Sequence, residues 1–160
     1  IKQVIIELPE TDYEFAIGQP FKIRQAPQID AAFSVQYNVA NVLLRQCVEL
    51  EHFTEDAIRD SKIDFLIQKI KVQKLKGLGE SLSAVIRVIM SQGNIFEKRV
   101  DVPKGDEALK PMTDDEKKEK FRKNVLFSNT VSSENGERIL AIAEHAEEIE
   151  DIDEFINLLI

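Results

Sequence analysis

The sequence has little or none of three residue types: cysteine, tryptophan and histidine. It has one cysteine, Cys47, no tryptophan and only two histidines among 160 residues. A lone cysteine has no partner within the chain, whereas a secreted domain of this size more often carries paired cysteines. We therefore expect a protein of the reducing cytoplasm.

Long apolar runs and an excess of basic residues are also lacking. No stretch approaches the roughly 20 apolar residues that a membrane-spanning helix needs, and no signal peptide is recognisable. The formal net charge is -8, which disfavours nucleic acids and anionic membranes as partners. The one basic cluster, at Lys69, Lys71, Lys74 and Lys76, has no interleaved aromatic residues and fits a solvated strand edge better. We expect neither a nucleic-acid partner nor a membrane.

Established catalytic and metal-binding motifs are missing as well. His52 and His145 have no second histidine or cysteine at metal-ligand spacing. Cys47 has no adjacent base in the sequence, and the loop at residues 103–106 lacks the spacing of a phosphate-binding loop. By motif alone, these residues are more simply interpreted as structural or surface residues.

The most apolar segment, residues 28–45, is the one around which the chain is organised. Its periodicity predicts a mostly buried helix with a single polar stripe. Asp30 stands ahead of the apolar run, where its carboxylate would cap the first turn. The apolar stripes are Ala32, Val35, Val39 and Val42, and Phe33, Tyr37, Ala40 and Leu44; the polar stripe is Ser34, Asn38, Asn41 and Arg45.

Tyr37 is the residue of this helix that carries chemistry. With an ordinary pKa of about 10, a tyrosine is a hydrogen-bond donor or general acid at neutral pH. The alternative is an aromatic residue of the core whose hydroxyl has an internal partner. The sequence leaves both interpretations open.

The order of the remaining elements indicates the fold class. We predict strands at residues 1–8, 71–75, 84–90 and 95–102, and an irregular arm at 9–27. Helices are expected to begin near Thr54, near Ser61, at Thr113, which forms a capping box with Glu116, and at Ser132 or Ser133, with a last one at 154–159. Strands and helices do not alternate regularly. This order indicates an α+β two-layer sandwich, with helices packed on a mainly antiparallel sheet. The length fits a single domain, residues 1–160, and the abrupt start in a strand at Ile1 is typical of a fragment of a longer chain.

Four spaced stretches, in order along the chain, carry a resemblance to a known family. They are DAAFSVQYNVANVLL at 30–44, FTEDAIRDSKI at 53–63, VDVPKGD at 100–106 and PMTDDEKKEKFR at 111–122. Together they resemble the second, smaller domain of the MmgE/PrpD family, which contains 2-methylcitrate dehydratase, cis-aconitate decarboxylase and iminodisuccinate epimerase.

The resemblance implies a function for the whole enzyme. In that family, an α+β domain like this one caps an active-site cleft formed with a large all-helical domain, which would precede Ile1. The implied chemistry uses no metal and no cofactor: a proton is removed next to a carboxylate of a small di- or tricarboxylic acid, and the outcome is that of a lyase or an epimerase. The resemblance also implies a homodimer, a catalytic Tyr37, and Ser34 and Gln36 as substrate-binding residues.

The sequence departs from the family pattern at Phe33, where dehydratase and decarboxylase members tend to have a histidine, so the substrate is not defined. An anionic substrate also needs cationic groups, for which Lys22, Arg24 and Arg45 are candidates. The alternative function, from a different class, is a non-catalytic α+β module for ligand binding or interaction.

Overall fold

The computed structural model describes residues 1–75, 77, 82–149 and 151–159. Within them the chain divides into two compact units, Ile1–Lys110 and Pro111–Ile160. The first unit contains a mixed four-stranded sheet, with helices packed on it. The α+β prediction is confirmed.

The sheet is built from strands rich in β-branched residues. They are β1 (Gln3–Leu8), β2 (Ile70–Lys74), β3 (Ala84–Ile89) and β4 (Ile95–Val100), in the spatial order β2-β1-β3-β4. The β1–β2 pair is parallel, and the β1–β3 and β3–β4 pairs are antiparallel. The prediction of a mainly antiparallel sheet is therefore confirmed, with β1 at its centre beside β3.

One face of the sheet forms the core of the first unit. Val4 and Ile6 on β1 are fully buried against Tyr37, Ile58 and Ile63 from the helices. The alternate residues of β1 point to the opposite face, because side chains alternate along a strand. The core therefore holds the helices, including the one that carries Tyr37, in a fixed position on the sheet.

The opposite face of the sheet carries a row of polar side chains. The Glu7 carboxylate, only 6% exposed, accepts from Gln73 Nε2 at 2.8 Å and from the Arg87 guanidinium at 2.6 Å. Arg87 also pairs with Glu97 on β4. These partners compensate for the burial of a carboxylate, which is costly without them.

The helices of the first unit are short. They are α1 (Glu10–Glu14), α2 (Pro27–Ala32), α3 (Val35–Arg45), α4 (Glu55–Ile58) and α5 (Ser61–Ile67), with 3-10 turns at Ala16–Gly18 and Leu50–Phe53. The prediction of an irregular arm at residues 9–27 is wrong in part, since α1 and the first 3-10 turn lie within it. Pro9 precedes α1, and the acidic residues Glu10 and Asp12 in its first turn favour the helix start.

The predicted single helix at residues 28–45 is wrong, because the structure has two helices there. Ser34 is extended, with φ -107° and ψ 117°, and its Oγ accepts from the Tyr37 amide as the N-cap of α3. A serine in this position satisfies a free amide of the first turn, so a new helix starts where the apolar periodicity continues. Asp30 does not cap; its carboxylate instead accepts from the Arg24 amide at 2.6 Å.

The second unit is helical in its described residues. It contains α6 (Asp114–Ser128), α7 (Ser133–Ala143), a 3-10 turn at Ala146–Glu148 and α8 (Ile152–Ile156). The predicted capping box of Thr113 and Glu116 is confirmed, and Ser132 caps α7. None of the helices described is long and apolar enough to cross a membrane.

Candidate functional site

A cleft lies beside the start of α3, in the segment that Ser34 caps. Its volume is about 260 Å³. The walls combine apolar and charged side chains from the segment that follows the first 3-10 turn, from α2 and from the α2–α3 junction. The lining residues are Gln19, Pro20, Phe21, Lys22, Arg24, Ile29, Asp30, Phe33 and Ser34.

Two cationic side chains, Lys22 and Arg24, line the cleft. The Arg24 guanidinium lies 3.9 Å from the Asp30 carboxylate, and its side chain is 70% exposed. Within the described residues, Lys22 has no ion-pair partner. Of the two cations, Lys22 is therefore the one that no described carboxylate pairs with, which leaves its charge available to an anionic ligand.

Ser34 joins the cleft to the N-terminus of α3. The residue is 4% exposed, and its Oγ accepts from the Tyr37 amide at 3.2 Å. The first turn of an 11-residue helix carries a partial positive charge, which favours an anion nearby. Ser34, expected to bind substrate, is thus placed in the wall of a cleft that also contains Lys22 and Arg24.

Gln36 lies behind the cleft and connects its wall to the sheet. Its Oε1 accepts from the Phe21 amide at 2.8 Å, and its Nε2 donates to the Ile70 carbonyl at 3.1 Å. Both amide ends of the side chain are occupied by backbone groups. Gln36 therefore holds the segment that carries Phe21 and Lys22 against β2.

Tyr37 directly follows Gln36 and is fully buried. Its ring packs against Phe21 and Phe53, with centroid distances of 5.3 Å and 5.7 Å. The hydroxyl donates to the backbone carbonyl of His52. Tyr37 is not a lining residue of the cleft, but Phe21, which its ring contacts, is one.

The Tyr37 hydroxyl belongs to a cluster of polar groups that was not predicted from the sequence. Asn41 Nδ2 lies 3.3 Å from His52 Nδ1, and Asn41 Oδ1 accepts from Arg45 at 2.6 Å. Arg45 also donates to the Ala57 carbonyl at 3.0 Å and pairs with Asp60 at 3.4 Å.

The sequence contained a signal for this cluster. Tyr37, Asn41 and Arg45 are spaced i, i+4 and i+8, which places them on one face of α3. Asn41 is 0% exposed, so this face is buried, although Asn41 and Arg45 were predicted on a polar stripe. His52 and Asp60 complete the cluster, and no local pattern connects them to α3.

The surroundings of Tyr37 change its acidity. Burial raises the pKa of the Tyr37 hydroxyl above its ordinary value, because the phenolate loses hydration. The Arg45 guanidinium lowers the pKa in part, and the Asp60 carboxylate adds a smaller increase. The hydroxyl is therefore neutral at physiological pH, a state in which it donates rather than accepts a proton.

Metal-ligating side chains are not grouped in the part of the chain that the structure describes. No three His, Cys, Asp or Glu side chains lie close enough together there to hold an ion. Cys47 is exposed, and its thiol is 3.4 Å from the Arg45 carbonyl. Among the described residues of the first unit, the cleft and the polar cluster around Tyr37 bring together groups that can act on a ligand.

Comparison with known families identifies the kind of domain that carries this cleft. The sequence model described as the MmgE/PrpD C-terminal domain matches residues 1–148. A search of curated proteins found no match. The match extends from β1 through α7 and includes both the cleft and the polar cluster.

Proposed function

This chain belongs to the MmgE/PrpD family, and we propose that it caps the active site of a larger enzyme that acts on small di- or tricarboxylic acids. The proposed reaction removes a proton next to a carboxylate, without a metal ion or organic cofactor, and has a lyase or epimerase outcome. The observation that carries the proposal is the cleft in which Lys22, Arg24 and Ser34 meet at the N-terminus of α3.

The charge distribution supports an anionic substrate at this cleft. The whole chain has a formal net charge of -8, so a carboxylate approaches favourably only where cations are concentrated. Lys22 and Arg24 provide two cations within one small cleft, and Asp30 orients the second of them. Ser34 and the start of α3 add polar groups that suit a carboxylate.

The exposed apolar residues at the rim support a capping role. Ile29 and Phe33 line the cleft, and each is 61% exposed. Large apolar side chains grouped beside a cleft are typical of surfaces that bind a partner or a ligand. We propose that an all-helical domain of the parent protein closes the cleft from outside and completes the active site, with this rim facing the enclosed substrate.

Tyr37 is proposed to donate a proton or a hydrogen bond to the substrate. Because its hydroxyl is buried and bonded to the His52 carbonyl, it reaches a substrate only after that bond opens. The proposal therefore requires a movement of the 3-10 turn Leu50–Phe53 when the parent enzyme binds substrate. General acid catalysis of this kind contributes about 10² to 10⁴ in rate.

A second function, a non-catalytic binding module, is favoured by the same hydrogen bond. If Tyr37 serves only the core, its hydroxyl needs no partner other than His52. The cleft would then bind an anionic ligand without converting it. The two functions differ in whether the parent protein turns over a substrate and in whether Tyr37 affects that turnover.

The deciding experiment compares the full-length protein with its Tyr37→Phe variant on citrate-like, aconitate-like and aminodicarboxylate substrates, with a chelator present. Tyr13→Phe is the matched control, since Tyr13 lies outside the cleft and the polar cluster. Turnover that survives chelation and falls at least 100-fold only in Tyr37→Phe supports the enzyme with a catalytic Tyr37. Turnover that both variants retain removes Tyr37 from the mechanism, and binding without turnover by the wild type favours the module.

A further inference from the structure

The cleft at the start of α3 has two chemically different sides. Lys22 and Arg24 form a cationic side, whereas Ile29 and Phe33 form an apolar side. A small carboxylate needs only the first of these. The apolar side therefore indicates an additional part of the ligand.

The exposure of the apolar side is large for residues that line a cleft. Phe33 and Ile29 are each 61% exposed, so most of each side chain is available to a ligand. Covering such a surface removes apolar area from water, which is worth roughly 25 cal/mol per Å². An alkyl chain or a ring in contact with Phe33 would gain from this, while a carboxylate there would lose hydration.

We propose that this cleft selects carboxylic acids that bear an alkyl chain or aromatic ring, with a carboxylate at Lys22 and the apolar substituent against Phe33 and Ile29. The inference rests on the proposed function, because it concerns the substrate class of the same site. It adds that the cleft discriminates between acids of equal charge by their apolar substituent.

The size of the cleft agrees with a ligand of this type. Pockets that enclose drug-sized ligands have volumes of roughly 300–1,000 Å³, and this cleft has about 260 Å³. A dicarboxylate with one benzyl group is smaller than a drug-sized ligand, which suits the smaller volume of this cleft. The ion pair between Arg24 and Asp30 leaves Lys22 as the main anchor for a carboxylate.

The experiment measures binding of succinate and of benzylsuccinate to the full-length protein by titration calorimetry. The two probes have the same two carboxylates and differ by one benzyl group. We expect benzylsuccinate to bind about 10-fold more tightly, as is typical of one apolar group in a matching pocket. Equal affinities for the two probes overturn the inference.

Variants locate the preference in the cleft. Phe33→Ala is expected to reduce the ratio of the two affinities to about 2, because it weakens benzylsuccinate binding far more than succinate binding. Phe96→Ala is the matched control, because Phe96 is also 61% exposed but lies on β4; it should leave the ratio unchanged. Ile29→Ala is a second, independent change that should lower the ratio.

If Phe33→Ala weakens the binding of both probes by the same factor, the apolar rim is assigned to contact with the upstream domain, and the inference is overturned. Lys22→Gln tests the anchor: it should weaken both probes by the same factor, about 5-fold, without changing their ratio. A ratio that responds to Lys22→Gln but not to Phe33→Ala also contradicts the proposal.

Failure of this inference and failure of the proposed function give different results. Turnover of dicarboxylates with no preference for benzylsuccinate in binding refutes only the inference. A benzyl preference that depends on Phe33, in a protein that turns over no substrate, refutes only the proposed enzyme. Failure to bind either probe, combined with no turnover, refutes both.

Discussion

The hydroxyl of Tyr37 donates to the backbone carbonyl of His52, which ties α3 to the 3-10 turn Leu50–Phe53. The candidate acid of the site is thus also a structural contact of the core. The two roles require different behaviour of this hydrogen bond. As a structural contact the bond between Tyr37 and the His52 carbonyl must persist, whereas as a proton donor the hydroxyl must leave that bond to reach the substrate. Stability and activity measurements on the same variant therefore report on different roles.

Removal of the Tyr37 hydroxyl should lower stability. In Tyr37→Phe, the ring remains between Phe21 and Phe53, but the His52 carbonyl loses its donor. Loss of one such partner in a buried setting costs about 1–2 kcal/mol. Urea denaturation should show this decrease in the free energy of unfolding, whereas Tyr13→Phe should change it by less than about 0.5 kcal/mol. An unchanged midpoint in Tyr37→Phe would show that the His52 carbonyl finds another donor.

Stability should also decrease at alkaline pH through Tyr37. Burial raises the pKa of its hydroxyl in the folded state, so the unfolded chain releases this proton at a lower pH than the folded chain does. The stabilisation is complete below about pH 10 and is lost as the pH rises towards the folded-state pKa, by at most about 1.4 kcal/mol per pH unit.

The measurement is the free energy of unfolding from pH 8 to 11 in the wild type and in Tyr37→Phe. Contributions from lysines and from Tyr13 are common to both proteins and cancel in the difference. That difference should be constant up to about pH 10 and then shrink. A difference that grows with pH would mean that the folded state favours the phenolate, with Arg45 outweighing burial.

Arg45 should matter more to stability than an exposed arginine does. Its side chain is 18% exposed, donates hydrogen bonds to Asn41 Oδ1 and the Ala57 carbonyl, and pairs with Asp60. Arg45→Met leaves two of these partners without a donor in a half-buried setting, so we expect a loss of about 2–3 kcal/mol. Arg59→Met is the control, since Arg59 is 53% exposed and, among the residues that the structure describes, pairs with Glu55 alone, one turn away. A loss below about 0.5 kcal/mol is expected there. If thermal denaturation shows equal losses of unfolding free energy in Arg45→Met and Arg59→Met, the buried contacts of Arg45 stabilise the fold no more than an exposed ion pair does.

Local patterns predicted the strands well and one break in a helix poorly. β3 is dense in β-branched residues, β4 combines apolar with charged residues, and the two strands flank a turn at Gly93, whose φ of +92° suits glycine. Their hairpin could therefore be predicted from neighbouring residues alone. The break at Ser34 was missed because apolar residues keep a helical period on both sides of it. The Ser34 hydroxyl caps α3, so a new helix begins there although the period continues.

Features that depend on distant parts of the chain could not be predicted in this way. The parallel pairing of β1 with β2 joins residues more than 60 positions apart, such as Ile6 and Val72. Asn41 was predicted on a polar stripe and is buried, because residues near His52 and Asp60 fold back over that face of α3. The cleft was only partly foreseen: its cations and Ser34 were candidates, but no sequence pattern showed that Phe33 and Ile29 lie beside them.

For Gln36, a structural role can be distinguished clearly from a substrate-binding role, because its side-chain amide already has two backbone partners. Gln36→Met keeps the length of the side chain but removes the acceptor of the Phe21 amide and the donor to Ile70. We expect a decrease of about 2 kcal/mol in the free energy of unfolding, as two backbone groups lose their partners. Exchange of the Phe21 amide hydrogen should accelerate strongly, since its acceptor is gone.

The control for this change is Gln28→Met, because Gln28 is exposed on α2 and should tolerate it within about 0.5 kcal/mol. If Gln36 has a structural role, its substitution should also affect ligand binding. Lys22 directly follows Phe21, so a more mobile segment at Phe21 and Lys22 should weaken succinate binding and lower the free energy of unfolding together. A direct contact between Gln36 and the substrate predicts the opposite pattern, in which affinity falls while the unfolding free energy and the Phe21 exchange rate stay the same. The combination of the two measurements decides between these roles, since only a structural role links the rigidity of the cleft wall to its affinity.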